Sequence, residues 1–275
     1  MLTVETRHLP APEAARRLDT GELRRAFALE GLFRPGAIAL VCTHLDRLIA
    51  GGAMPGAEPL ELAHVAETGT PGFLDRREAV IVALDAGGTV HADGTAHAMA
   101  AMDMLYLGTG TGALRFEGAG VRFYILSAPA HRALPARLVR PEDARRVDLG
   151  SAETANRRTI NQCLHPEVLE TCQLLAGFTT LHAGSVWNTM PAHTHDRRSE
   201  IYLYTGIAAT DRVLHLMGEP DQTRHMVLAD GEGALSPGWS IHSGAGTGSY
   251  TFIWAMAGDN VDFADMDMVA MEDLR

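Results

Sequence analysis

The chain is short of several things, and each shortage closes off a class of protein. Of its 275 residues only Cys42, Cys163 and Cys172 are cysteines, an odd number with no C-x-x-C pair. That argues against a disulfide framework or a thiolate zinc site and leaves buried free thiols. Positive charge is also scarce, with 23 basic side chains against 34 acidic ones and a net charge of -11. Such a balance excludes the basic stripe that nucleic acid requires and disfavours an anionic membrane surface. No apolar run reaches the ~18 residues needed to cross a bilayer, and the first residues, MLTVETR, lack the basic-then-apolar order of a signal peptide. The expected location is the cytoplasm. Aromatics are few, at 6%, while glycine is plentiful at 28 residues, as suits many short strands joined by tight turns. A hydrophobic content of 46% over this length can bury a substantial core.

Against that background one region stands out. His193 and His195 flank a single residue, Glu200 follows after Asp196-Arg-Arg-Ser199, and His242 comes some forty residues later, behind the turn-forming Ser236-Pro237-Gly238. Residues two apart on a strand project to one face, so both histidines can enter one cavity. A short turn then lets Glu200 return on the next strand, and His242 closes the set from a more distant one. Three imidazole nitrogens and one carboxylate oxygen suit Zn²⁺, Mn²⁺, Fe²⁺ or Ni²⁺ better than Ca²⁺ or Mg²⁺. Most of the other histidines, His8, His64, His91 and His97 among them, read as solvated or locally bonded. An H-x-H pair alone is no better than surface histidines, but no packing need asks for four such groups together.

Along the chain, residues 19–27 carry a capping box, Asp19 with Glu22, ahead of Leu23 and Phe27 on one helical face. From Ala37 onward the pattern changes to short β-rich runs separated by glycine turns. Residues 128–150 are Pro-rich and charged with no apolar period, and read as a linker. The expected organisation is therefore an N-terminal helical segment over 1–36, one β half over 37–127, a linker over 128–150 and a second β half over 151–275. The halves echo each other: residues 73–82, FLDRREAVIV, sit against 195–203, HDRRSEIYL. This predicts an all-β fold of two jelly-roll halves. The first half has no histidine ahead of Asp75 and has Tyr106 near the place of His242, so it is expected to be structural and without metal.

Gly184, His193-x-His195, Glu200 and Gly206 resemble the first cupin motif, and Gly231, Pro237 and His242 the second. The departures are a longer gap before His193, Trp239 where glycine is usual and Gly246 where asparagine is common. A closer resemblance runs through the chain. The blocks THLDR at 43–47, FLDRRE at 73–78, NRRTIN at 156–161, LETCQ at 169–173, WNTMP at 187–191, TRH at 223–225, SIHSG at 240–244 and YTFIW at 250–254 are similar to the 4-deoxy-L-threo-5-hexosulose-uronate ketol-isomerase (5-keto-4-deoxyuronate isomerase) family of the cupin superfamily.

The resemblance implies a bicupin jelly roll and a metal-dependent aldose–ketose isomerase acting on 5-dehydro-4-deoxy-D-glucuronate to give 3-deoxy-D-glycero-2,5-hexodiulosonate, in the breakdown of pectin or other polyuronides. It also implies one divalent metal per subunit, Zn²⁺ first, and a homo-hexamer. The net negative charge opposes an anionic sugar acid, so a local cationic pocket is required. Arg157 and Arg158 are the candidates, with Arg197, Arg198 and Arg224 as other suppliers. For proton transfer the residues leave Glu200, His225, Tyr204 and His182 open, and a hydride shift needs no base. Two other classes share the ligand set: an Fe²⁺ cupin dioxygenase, and a non-catalytic cupin that binds a sugar acid.

Overall fold

Strand alternation and burial shape both halves of this molecule. The computed structural model describes residues 1–259 and 263–275. Every residue of Arg77–Ala83, of Met104–Leu107 and of Arg198–Thr205 is buried, as expected of strands covered on both faces. Elsewhere the alternation is one-sided. In Val213–Glu219 the side chains of Val213, His215 and Met217 are buried while Leu214 is exposed.

The chain forms two compact units. In the first, a seven-stranded sheet runs in the order Leu2–Arg7, Ala37–Thr43, Ile49–Met54, Phe123–Pro129, Arg77–Ala83, Met104–Leu107 and Arg137–Val139, accompanied by a four-stranded sheet of Leu60–Leu62, Leu114–Glu117, Gly88–Ala92 and Thr95–Met99. Apart from the parallel first pair, the registered neighbours are antiparallel. Its core gathers Ile38, Leu40, Phe73, Ile81, Leu105, Phe116 and Phe123.

The second unit repeats the plan. Its seven-stranded sheet runs Arg145–Leu149, Arg158–Leu164, Leu175–Leu181, Thr251–Gly258, Arg198–Thr205, Gly233–Ser236 and Ala28–Leu29, and its four-stranded sheet runs Trp187–Asn188, Ile241–Gly246, Val213–Glu219 and Gln222–Leu228. The expected duplicated all-β sandwich is what forms. Arg77–Ala83 and Arg198–Thr205 both stand fifth in their sheets, so Glu78 and Glu200 occupy corresponding places, as the sequence echo implied. No helix among the described residues is long and apolar enough to cross a membrane.

The boundaries differ from those read in the sequence. The first unit comprises Met1–Arg7, Gly31–Arg145 and Cys163–Ala176, and the second comprises His8–Glu30, Arg146–Gln162 and Gly177–Arg275. The helix Thr20–Phe27 does carry its capping box at Asp19 and Glu22. It belongs with the second unit, because Ala28–Leu29 continues from it to pair with Gly233 and Ala234 and Phe27 stands edge-on to Trp239 at 6.2 Å. That contact gives a packing reason for a tryptophan where cupins usually carry glycine. Residues 128–150 are not a free linker, since they finish one strand and contribute Arg137–Val139 and Arg145–Leu149.

One local feature and one further correction concern the first unit. Residues 170–174 do not form a strand, because their backbone donors are drawn to Glu78. Its Oε1 accepts from the amides of Gln173 and Leu174 at 2.7 and 2.8 Å, and its Oε2 from the amide of Cys172 and the hydroxyl of Tyr106, both at 2.7 Å. Tyr106 does not take the place of His242. It lies on the strand equivalent to Gly233–Ser236, whereas the counterpart of the His242 strand is Leu114–Glu117.

Candidate metal centre

His193 opens the short strand His193–Thr194, His195 follows it, and a turn through Asp196 and Arg197 leads into Arg198–Thr205 with Glu200 pointing inward. The turn at Ser236–Gly238 brings His242 in on Ile241–Gly246. Close approach demands glycine at 238, where a Cβ would lie 2.6 Å from the carbonyl oxygen of His195; the Gly238 carbonyl in turn accepts from the His195 amide at 3.1 Å.

All four residues are at most 5% exposed and present one ligand atom each within 4.8 Å of the others. The atoms make a closed circuit. His193 Nε2 to His195 Nε2 is 3.1 Å, His195 Nε2 to Glu200 Oε2 2.9 Å, Glu200 Oε2 to His242 Nε2 2.9 Å, and His242 Nε2 back to His193 Nε2 3.0 Å. Too few protons exist to serve that circuit. His195 Nδ1 lies 3.2 Å from the Asp265 carbonyl and 3.3 Å from Arg198 Nε, and His242 Nδ1 lies 3.4 Å from the Ser240 carbonyl. With the protons on Nδ1 and donated to these carbonyls, bare Nε2 lone pairs face inward. Burial and the neighbouring His242 push His193 down to about 2, so its ring is neutral. Burial alone would raise the Glu200 carboxyl, but His242 and His195 outweigh it and hold the group well below the usual carboxylate range. Lone pairs and one negative charge converging in a dry site are what a cation satisfies. Ligands about 2.1 Å from one ion lie about 3.0 Å apart at right angles and about 3.4 Å apart at the tetrahedral angle. The observed edges of 2.9–3.1 Å would let these four residues hold one such ion between them.

Beside the quartet lies a second group of buried polar side chains. Tyr202 and Tyr204 follow Glu200 on the same strand face, and the Tyr202 ring stands edge-on to His242 at 5.4 Å. Arg158 is 8% exposed. Its Nη1 donates to the Asn156 carbonyl at 2.9 Å, and its buried Nε has no protein partner. Burial lowers its pKa, with Tyr202 and Tyr250 acting the other way. Arg157 is exposed. His225 is exposed as well, because Met226 and Leu228 take the inward positions of its strand. His182 Nε2 meets Thr159 Oγ1 at 2.9 Å. Of the remaining arginines, Arg197 pairs with Asp265, Arg198 Nη2 donates to the carbonyls of Phe263 and Asp265 at 2.9 Å, and Arg224 binds the carbonyls of Ala15, Arg16 and Leu18. Thr194 also borders an open recess of about 620 Å³ in which Asp196, Glu219, Asp221, Asp267 and Asp273 outnumber the single basic residue, Arg275. That lining repels an anionic ligand.

The profile of the KduI/IolB family matches residues 32–272 of this chain. The chain belongs to the KduI/IolB family. Among members of the family, it is 60% identical over its full length, and that of the relative, to a 4-deoxy-L-threo-5-hexosulose-uronate ketol-isomerase of Cereibacter sphaeroides. It is 58% identical, again over both full lengths, to a protein of the same description from Agrobacterium fabrum. The crystal structure of an IolB-like protein from Salmonella typhimurium shares the fold, with a TM-score of 0.64 at 18% identity over 81% of this chain and 86% of that one.

One inward-facing group went unnoticed in the sequence. His215 is wholly buried, and its Nδ1 meets the Tyr204 hydroxyl at 2.8 Å. The available signal was alternation, since His215 stands in register between the inward Val213 and Met217.

Proposed function

We propose that this chain is a metal-dependent ketol-isomerase converting 5-dehydro-4-deoxy-D-glucuronate to 3-deoxy-D-glycero-2,5-hexodiulosonate in pectin or polyuronide breakdown, working as a cytoplasmic hexamer with Zn²⁺ held by His193, His195, Glu200 and His242. The observation that carries the reading is the buried circuit of three converging imidazole nitrogens and one carboxylate oxygen, in a chain so similar over its whole length to proteins described as such isomerases. When bound, a divalent ion supplies Lewis acidity to adjacent carbonyl and hydroxyl oxygens. The protein's part is to fix that acid and the sugar. Asp265 and Ser240 hold the His195 and His242 rings through their Nδ1–H groups. Arg158 anchors the substrate carboxylate through its unpartnered Nε–H, with the exposed Arg157 as a weaker candidate. The sequence contains no lysine, so carboxylate capture falls to arginine and an imine route through a lysine side chain is unavailable. Proton transfer falls to Glu200, which faces the site, ahead of the exposed His225; the hydroxyl of Tyr204, the remaining candidate, is engaged with His215 Nδ1 at 2.8 Å.

The decisive experiment is proton NMR in D₂O with the keto-aldehyde, on native protein, chelator-treated protein and His242→Ala, with elemental analysis of each. Metal-dependent loss of the aldehyde signal with appearance of the diketo acid is expected. Deuterium at the new carbinol carbon marks an enediol route, and its absence a hydride shift. No conversion by metal-replete protein overturns the reading, and oxygen uptake would then point to a dioxygenase.

A further inference from the structure

The pair His215–Tyr204 lies next to the metal centre but contributes no ligand. His215 comes from Val213–Glu219 and pairs across the sheet with Gly244, while Met217 on the same strand pairs with His242. His215 is therefore one inward step, about 7 Å of strand, from the level of His242. Tyr204 stands two inward steps from Glu200 on its own strand. Tyr202 lies between, edge-on to His242 at 5.4 Å and to His215 at 5.7 Å. Gly244 makes room for this layer, for a Cβ there would sit 2.9 Å from the Tyr204 hydroxyl and 2.7 Å from that of Tyr250.

Hydrogen bonding sets the state of His215. Burial raises the Tyr204 phenol far above its ordinary range, so it keeps its proton and can donate to Nδ1. Burial also pushes His215 down to about 3, so the ring is neutral. A neutral ring that accepts at Nδ1 carries its proton on Nε2, and that Nε2 is buried with no protein partner. An unpaired donor in such a place is unfavourable, and a substrate oxygen would relieve it.

We propose that His215 is a catalytic residue of the isomerisation read above, its Nε2–H donating to the substrate oxygen on which negative charge grows as the enediolate forms, with Tyr204 a positioning residue that fixes the tautomer. The inference rests on that isomerase reading. A neutral imidazole suits the task because it donates without surrendering its proton to solvent, and a donor aimed at developing charge in a dry site acts on the transition state more than on the bound sugar.

The test compares wild type, His215→Phe, His215→Gln and Tyr204→Phe, each with metal content and thermal midpoint measured. Turnover of the keto-aldehyde is followed beside binding of a sugar-acid hydroxamate, which mimics an enediolate, and of the ketose product. For His215→Phe the expected result is a kcat lowered about 10²–10³-fold, KM within threefold, hydroxamate affinity falling with kcat, and product affinity little changed. His215→Gln should recover part of the loss. Tyr204→Phe, which leaves the imidazole in place, should lower kcat about tenfold with metal retained, and this arm decides the matter if the His215 variants fail to fold. Folded, metal-loaded His215→Phe within twofold of wild type would show that Nε2–H faces only water and overturn the proposal. A parallel loss of product and hydroxamate affinity would overturn it too, making His215 a ground-state contact. If wild type itself gives no turnover, the isomerase reading fails first.

Discussion

Replacing Glu78 should unfold the first unit although no chemistry is assigned to it. Its carboxylate is wholly buried and accepts four hydrogen bonds, from three consecutive amides at 172–174 and from the Tyr106 hydroxyl, at 2.7–2.8 Å. Hydrogen bonds to a charged group contribute about 1.5–3 kcal/mol each, and each buried donor left without a partner costs about 1–3 kcal/mol. Because the four share one acceptor they are not additive. A loss of about 4–6 kcal/mol is expected for Glu78→Ala, much of the roughly 5–15 kcal/mol that holds a protein folded. Glu78→Gln keeps one oxygen for the amides of Gln173 and Leu174 but turns an NH₂ toward the Cys172 amide, so about 2–3 kcal/mol is expected. Tyr106→Phe removes a single donor to that charge, about 1.5–2 kcal/mol. Urea unfolding monitored by fluorescence and circular dichroism would rank the three. If Glu78→Ala falls within 1 kcal/mol of wild type at unchanged m-value, the carboxylate does not hold the 172–174 segment and the reasoning fails.

Arg158→Gln should raise KM about 10–100-fold with kcat changed far less, as expected for one charge-assisted contact of about 1.5–3 kcal/mol; an unchanged KM in steady-state kinetics would remove the arginine from carboxylate binding. Stability should fall as pH drops below about 6.5. The unfolded chain takes up protons at His193 and His215 near 6.5, whereas the native state does so only at about 2 and 3, so the unfolded state holds more protons and each histidine removes up to ~1.4 kcal/mol per pH unit. The lowered Glu200 acts in the same direction below about 4.5. Urea midpoints at pH 7.5, 6 and 5 check this, and midpoints that hold steady or rise toward pH 5 would contradict it. Gly238→Ala, whose Cβ would press on the His195 carbonyl at 2.6 Å, should weaken metal retention in a chelator competition more than it lowers the thermal midpoint; equal metal retention would show that the turn can give way.

The metal quartet was legible because its logic is local. A spacing of two, a four-residue turn and a Ser-Pro-Gly turn place four donors without any knowledge of the rest. The Glu78–Glu200 correspondence was legible for a similar reason, as both strands begin with the same Arg-rich pattern. His225 shows what a motif match omits, for its neighbours Met226 and Leu228 claim the core and turn it outward. His215 shows the converse, a histidine in an apolar strand whose parity alone sends it inside. The exchange of residues 8–30 and 163–176 between units was not legible, because their partners are set by pairings far away in sequence. Arg24 donates to the Val227 carbonyl across 203 residues, and no local period encodes that.

That separation has a consequence for how the protein is made. At a synthesis rate of ~5–20 residues per second, the helix Thr20–Phe27 leaves the ribosome about 10–40 s before the strand Gly233–Ser236 that its continuation will pair with. Leu23 and Phe27, both buried in the finished molecule, are bare for that interval, and the first unit cannot be completed until residue 176 has emerged. The nascent chain therefore passes through a stage in which the apolar face of this helix waits for a partner not yet translated.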